Sequence, residues 1–410
     1  MASLLWILLA AYVLIILLWL WGMAWVRGLR ADQEMQLEPL PDAEPDPAAP
    51  SLEVYIAAHN EQDRIGPCLE QLCRQNYANL RVTVVNDRSA DRTADRVRAY
   101  MAEDGRVRLV EVGDLPQGCI GKSHALATAA AGAGADYLLF MDCDCRLAAG
   151  AIAAVMRKVV AERLEFVSLW PRLALLSPSE RLMTPAASWV LGIWALLSAK
   201  HGSRNTEVKL GNGQFMLFSR AAYQQVGGHA AVQAELAEDM ILACKASSLG
   251  LRRWAGLGKD LYVTTRANTS ADTVNALTRV LAGSLVAPWR ILSSTQLLLG
   301  GVVMPAWLLP LSAYLAVSGE SPVWWAFAGA SIVHLMFMFY VVRRLFAMTF
   351  EDSPSVLSFL LGSFLLVGLL LWAWLVVAGW GYVRWGRTAY RVQGSRVLYA
   401  IPDAGRSVAA

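Results

Sequence analysis

Asp142, Cys143 and Asp144 follow a short apolar run, Tyr137-Leu138-Leu139-Phe140-Met141. On a strand alternate residues face the same side, so Asp142 and Asp144 point one way and Cys143 and Cys145 the other. Two carboxylates aimed at one point suit a hard divalent cation, Mg2+ or Mn2+, which takes oxygen ligands from one or two carboxylates and completes its shell with phosphates. The chemistry this supports is neutralisation of a phosphate-bearing group. The same residues also fit a solvated strand end. A zinc site at Cys143 and Cys145 lacks the second ligand pair that zinc requires.

The flanking residues outline the elements that must position these groups. From Leu52 onward, strand-like runs alternate with helical ones: Val54 to Ala58, a helix from about Asp63 to Gln75, then Val82 to Val85 and a helix from Thr93 to Met101. Val107 to Val112, a helix around Ser123 to Ala133, and the strand into Asp142 complete the series. This order predicts an α/β fold whose parallel sheet is covered by helices on both faces. Ligands of such sheets bind beyond the carboxyl ends of the strands. His59-Asn60-Glu61, Asn86-Asp87 and Asp142-Cys143-Asp144 all fall there.

The 410 residues are 56% hydrophobic and 17% charged, with a mean hydropathy of +0.40. That is too apolar for an ordinary soluble chain and too charged for one wholly in a membrane. Ala2 to Val26 carries no charge and is long enough to span; Arg27 and Arg30 follow it, so the positive-inside rule keeps the next residues in the cytoplasm. Three more uncharged stretches come late: Ile291 to Gly319, Ser321 to Val342, and Ser353 to Val383. The net charge of +3 gives no reason to expect a nucleic-acid partner. The six cysteines, unpaired in spacing and in the cytoplasmic part, read as reduced thiols.

The chain divides into an N-terminal transmembrane anchor (1–27), an acidic Pro-rich linker (28–50) and a cytoplasmic domain with interfacial helices (51–290). A membrane region (291–383) and a basic tail (384–410) follow. The interfacial segments are Pro185 to Ala199, flanked by Lys200, His201 and Arg204, and Val280 to Trp289, ending on Arg290. Buried core helices would also account for both. If the amino terminus lies outside and every segment crosses, Arg384, Arg387 and Arg391 end outside, against the positive-inside rule. Ser353 to Val383 is then the candidate for a re-entrant or interfacial element.

Taken together, Ala57-Ala58-His59-Asn60-Glu61, Val85-Asn86-Asp87-Arg88-Ser89-Ala90-Asp91-Arg92-Thr93, Gly121-Lys122, Asp142-Cys143-Asp144, Gly211-Asn212-Gly213-Gln214 and Glu238-Asp239 resemble, in order and spacing, family 2 glycosyltransferases of GT-A fold. The chain looks most like their membrane-anchored, lipid-modifying branch, such as hopene-associated glycosyltransferases. It is more distantly similar to ceramide glucosyltransferases. The ending Trp385-Gly386-Arg387-Thr388-Ala389-Tyr390 resembles that branch as well. The (Gln/Arg)-x-x-Arg-Trp motif of processive synthases and ceramide glucosyltransferases has no match; Thr278-Arg279-Val280-Leu281 stands in that neighbourhood.

The resemblance implies a Rossmann-like mixed sheet and a multi-pass protein of bacterial inner-membrane type. It implies a metal-dependent hexosyltransferase that moves one sugar, with inversion, from a nucleotide donor, UDP-linked by expectation, to a membrane lipid hydroxyl. Ala58, Asn60, Glu61, Asp87, Lys122, Asp142 and Asp144 are then donor-binding, with Asp144 the direct metal ligand and Asp142 reaching the ribose or a metal-bound water. Gly211, Asn212, Gly213, Gln214, Glu238 and Arg279 border the sugar and acceptor pocket, and His229 is structural. A hydroxyl is a poor nucleophile and needs a base; Asp239, opening a helix beside Glu238, is the candidate, although helix dipoles also favour acidic residues there. Lys122 suits a point charge against a diphosphate or a solvated surface. The alternatives are transfer to a polyprenyl phosphate and an inactive sugar-nucleotide sensor or scaffold.

Overall fold

The computed structural model describes residues 2–31, 36–198, 211–266, 269–352, 354–385 and 388–401. Lys200, His201, Arg204, Gly386 and Arg387 lie outside them. A seven-stranded sheet in the order β3-β2-β1-β4-β8-β6-β9 forms the centre. Its strands are β1 (Leu52–Ala58), β2 (Leu80–Asp87), β3 (Val107–Val112), β4 (Tyr137–Asp142), β6 (Phe166–Trp170), β8 (Phe215–Ser219) and β9 (Arg253–Leu257). A small second sheet joins β5 (Cys145–Leu147), β10 (Tyr262–Arg266) and β7 (Arg172–Leu175).

Along β1 the side chains alternate between two buried layers. Val54 and Ile56 enter one core with α2 (Ile65–Cys73) and α5 (Ala151–Glu162). Tyr55 enters the other with Phe140, Phe218, α4 (Gly121–Ala130), α7 (Arg220–Gln225) and α8 (Glu238–Ser248). Burial on both faces is what a helix-covered sheet requires. α3 (Thr93–Glu103) follows β2. Register places Ala58 opposite Asn86 and Ala57 opposite Asp142, so the chain leaves β1, β2 and β4 along one edge. β8 runs antiparallel to β4, with Phe215 opposite Met141, and thereby brings Gly211–Gln214 to that same edge.

Several sequence expectations shift. β4 ends at Asp142 and a turn takes Cys143 and Asp144, so Asp144 is not carried by strand alternation. The segment expected to start at Pro185 is the second half of α6 (Pro178–Ser198). Ser177 and Glu180 start it: the Ser177 hydroxyl accepts from the Glu180 N–H at 3.2 Å while Glu180 accepts from the Ser177 N–H at 3.0 Å, a reciprocal cap. Val280 to Trp289 is no single helix, because α9 (Ser270–Ser284) stops and α10 (Pro288–Leu298) begins on a proline that cannot continue it.

Among the described residues, four helical stretches are long and apolar enough to cross a membrane: Ser3–Ala24 within α1 (Ala2–Ala31), Pro288–Val317, Val323–Thr349 and Val356–Val377. The second joins α10 through a π-helical segment, Leu299–Val303, to α11 (Met304–Val317); the third and fourth are α12 and α13. The described residues of the basic tail, with Tyr382 and Val383, form a three-stranded antiparallel sheet, β11 (Tyr382–Trp385), β12 (Thr388–Gln393) and β13 (Arg396–Ile401).

Both ends of α13 return to the sheet domain. Just before it, the Glu351 N–H donates to Leu173 of β7 at 3.0 Å. At its far end the Val377 carbonyl accepts from Gly394, whose neighbour Ser395 accepts at 2.9 Å from the N–H of Leu236. A 22-residue helix is about 33 Å long at about 1.5 Å per residue; it lies along α6, where Gly362 leaves room for the Leu182 carbonyl and Trp189 meets Phe359 edge-on. One continuous core joins Ile120 and Leu236, from the loops of the sheet edge, to Trp189 of α6, Leu366 of α13 and Val392 of β12.

Candidate active site

The loops after β1 and β2 are stitched together. The Asn60 N–H donates to Ser89 Oγ at 2.9 Å and Asn60 Oδ1 accepts from the Ala90 N–H at 2.8 Å. The Glu61 N–H donates to Thr93 Oγ1 at 2.8 Å. Asn60 (φ 57°) and Arg88 (φ 55°) both turn left-handed, a conformation Asn tolerates and Arg rarely adopts. At Arg88 the turn folds the guanidinium back onto its neighbour: Nε and Nη2 meet the Asp87 carboxylate at 2.7 and 3.2 Å.

Asp87 is buried and lies against the first turn of α4, where any Cβ on Gly121 would overlap its carboxylate. The next residue is Lys122. Its Nζ stands 2.7 Å from Asp142 Oδ1 and 3.2 Å from Glu238 Oε1. Burial opposes the lysine's charge, yet the carboxylates of Asp142, Glu238 and Asp239 outweigh it and raise its pKa. Lys122 is therefore an internal ammonium joining the end of β4 to the start of α8, not a solvated surface residue.

Asp239 Oδ2 accepts from the Gly213 N–H at 2.8 Å and Oδ1 from the Met240 N–H at 2.8 Å. Burial first, then the Glu238 carboxylate, push the Asp239 carboxyl up to about 6, against the pull of Lys122 and both N–H groups. Glu238 does not turn away from the site. A methyl on Gly213 would stand 3.1 Å from Lys122 Nζ, 3.3 Å from Asp239 Oδ2 and 3.5 Å from Glu238 Oε1, so a side chain there would crowd the point where these groups meet.

Asn212 is fixed by Ser168 Oγ, which accepts from its N–H at 2.9 Å, and its Oδ1 accepts from the Gln214 N–H at 3.1 Å. Asp144 is 5% exposed, and its carbonyl accepts from the Thr265 N–H at 2.9 Å. Its carboxylate faces Glu61 and Arg64: burial raises the Glu61 carboxyl, Arg64 at 2.9 Å opposes the rise and Asp144 adds to it. Ala58 is buried, and its carbonyl accepts from Ser89 Oγ at 3.5 Å. His229 is fully buried with its ring bonded to Tyr223, a structural placement.

Of the sequence candidates, Asn60, Glu61, Asp87, Lys122, Asp142, Asp144, Gly211 to Gln214, Glu238 and Asp239 share one sheet edge. Arg279 sits half-buried on α9, one turn before Gly283, which packs on Ala237. Two residues were not singled out as site residues. Arg88 clamps Asp87, and Tyr390 of β12 is buried with its hydroxyl at the Gly121 backbone beside Arg88 and Asp87. Arg88 was visible inside the Asn86-Asp87-Arg88-Ser89 motif and Tyr390 inside the closing motif, yet neither spacing reveals the contact.

Asp144 beside Glu61, and Asp142 at the end of β4, offer hard oxygens of the kind a divalent cation takes. Among the described residues no three His, Cys, Asp or Glu groups converge closely enough to hold a metal by themselves, so phosphate oxygens would have to complete its shell.

Residues 53–227 match the family model described as Glycosyl transferase family 2. The chain is 27% identical over 95 residues to "Uncharacterized glycosyltransferase EpsJ" of Bacillus subtilis (strain 168), across 23% of this chain and 26% of that one. It is 25% identical over 107 residues to "Glycosyltransferase GlyA" of Streptococcus pneumoniae serotype 4, across 26% and 15%. The chain thus matches about a quarter or less of the length of these relatives. The mannosyltransferase PcManGT from Pyrobaculum calidifontis, solved in complex with GDP-Man and Mn2+, superposes with a TM-score of 0.50 at 19% identity, over 85% of this chain and 99% of that one. At that identity the likeness speaks to the fold, a GT-A type mixed sheet covered by helices.

Proposed function

We propose, for a chain whose residues 53–227 match the glycosyl transferase family 2 model, that it is a membrane hexosyltransferase moving one sugar from a nucleotide diphosphate donor to a lipid hydroxyl with inversion. The observation that carries this reading is the Lys122 ammonium, shared at 2.7 and 3.2 Å by Asp142 and Glu238. It links the edge that holds a nucleotide to the helix that begins with a base.

In this account Asp87, aligned by Arg88, accepts N–H groups of the nucleobase, and the stitched Asn60-Glu61 loop walls the ribose. The first turn of α4 and Lys122 face the diphosphate, where positive charge matches the negative charge that builds on the leaving group. Asp142 and Asp144 would hold Mg2+ or Mn2+, which when bound supplies further neutralisation of that charge. Asp239, held by Gly213 and raised toward neutrality, takes the proton of the attacking hydroxyl; such a pKa suits a base working near neutral pH. Attack from the face opposite the diphosphate inverts the anomeric carbon.

The acceptor class follows from what surrounds the site. Ile120 and Leu236, beside Gly121 and before Glu238, belong to the same core as the apolar helices α6 and α13, so the catalytic edge rests on the membrane side of the molecule. With both of its ends on the sheet domain, α13 lies in the plane of the cytoplasmic leaflet. Three crossings then leave the sheet domain and the C-terminal sheet together in the cytoplasm, in keeping with the positive-inside rule. The purified protein is to be incubated with a panel of nucleotide sugars and a host lipid extract. A lipid heavier by one hexose, formed by wild type and lost in Asp144→Ala, supports the reading; nucleotide release without any glycosylated lipid overturns it.

A further inference from the structure

The chain places an arginine where helix energetics disfavour it. Arg290 lies in the first turn of α10, the positive end of a helix. None of its described contacts is with a carboxylate. Its guanidinium carbon is 5.5 Å from the ring centres of both Trp194 and Trp289. These indoles meet edge to face at 5.2 Å and 79°, and Trp194 is pinned to α10 by donating to Ser294 Oγ at 2.8 Å. Among the described residues, the buried Nε of Arg290 has no hydrogen-bond partner. A guanidinium held between two indoles at a helix's positive end, half-buried and with no carboxylate among its described contacts, is organised for an anion.

Its surroundings indicate which anion. Trp289 and Leu292, on one face of the helix, are 57% and 60% exposed, and they open the apolar stretch Pro288–Val317 at its sheet-domain end. Two tryptophans and an arginine at that level stand where phosphate head groups lie. The corner also belongs to the catalytic neighbourhood, since α9 packs by Gly283 on Ala237, just before Glu238, and α10 follows α9 directly.

We propose that Arg290, with Trp194 and Trp289, forms a subsite for the phosphate of an anionic membrane phospholipid at the mouth of the acceptor path. This binding is independent of the sugar donor, so it stands or falls apart from the transfer reaction. The test is native mass spectrometry of the full-length protein in detergent with added phosphatidylglycerol or phosphatidylcholine. Wild type should retain phosphatidylglycerol selectively, and Arg290→Gln should weaken retention by about tenfold or more, the scale of a lost charge-assisted hydrogen bond. Arg290→Lys should keep part of the affinity, and Arg343→Gln, an exposed arginine at the sheet-domain end of α12, should leave it unchanged. Equal retention by Arg290→Gln, equal weakening by Arg343→Gln, indifference to the head group, or displacement of the lipid by millimolar inorganic phosphate would each overturn the proposal.

Discussion

Lys122→Met removes one ammonium and leaves the carboxylates of Asp142, Glu238 and Asp239 facing each other. At 2.7 and 3.2 Å, the gross attractions are about 6 and 5 kcal/mol at an effective dielectric of about 20. Desolvation of the lysine, only 16% exposed, offsets much of this. Removing one partner from a buried pair costs a net of about 3–5 kcal/mol. At about 2–4 °C per kcal/mol for a domain of this size, the melting temperature should fall by about 6–20 °C. The deficit should also depend on pH. The Asp239 carboxyl is already raised and loses its main attractive cation, so its folded pKa climbs further. A carboxyl raised in the folded state favours folding at low pH and loses that contribution as pH rises through its folded pKa. The gap between variant and wild type should therefore be small near about pH 5 and largest near about pH 8. Thermal melting in detergent at both pH values measures it. A variant that melts with wild type at both, or whose deficit is larger in acid, would refute the reasoning.

Transfer should rise with pH through about 6, because Asp239 must be ionised to accept a proton; Glu238→Gln removes one cause of the raised pKa and should move this acid limb to lower pH, whereas an unmoved limb in kcat/KM would count against Asp239 as the base. Tyr390→Phe removes the hydroxyl at Gly121 and should raise the donor KM by about fivefold, the scale of one hydrogen bond, with kcat little changed; a loss confined to kcat would contradict a role at the donor edge. A cysteine replacing the exposed Tyr399 of β13 should react with a membrane-impermeant maleimide only from the side that labels the exposed natural Cys244. Labelling from the opposite side would mean that α13 crosses.

What the sequence disclosed was mostly local. The strand ends at Ala58 and Asp142 stand where the apolar runs stop on polar groups, because burial on both faces leaves such runs, while β2 extends two residues beyond Val85 to Asp87. Asp144 was placed on the right edge for the wrong reason, since a turn and not a continued strand carries it. α6 starts at Pro178, ahead of Pro185, because the polar Ser177–Glu180 cap opens it before the uncharged stretch begins. Contacts made across large sequence separations left no periodic signal. Tyr390 at Gly121, Ser395 at Leu236 and the two landing points of α13 arise from packing of whole elements. The same holds for Lys122, whose side chain fits a surface or a buried network equally well until α8 and β4 are brought beside it.

In the proposed function, carboxylates distant in sequence meet at one sheet edge with divided labour, donor binding by one group and proton removal by Asp239. Equilibrium binding of a UDP-sugar with Mn2+, measured beside glycolipid formation in Asp239→Asn, tests this most directly. Donor affinity should stay within about twofold of wild type and transfer should fall by about a hundredfold or more, the range of a lost general base. Donor affinity and transfer falling together, or transfer persisting at the wild-type rate, would contradict it.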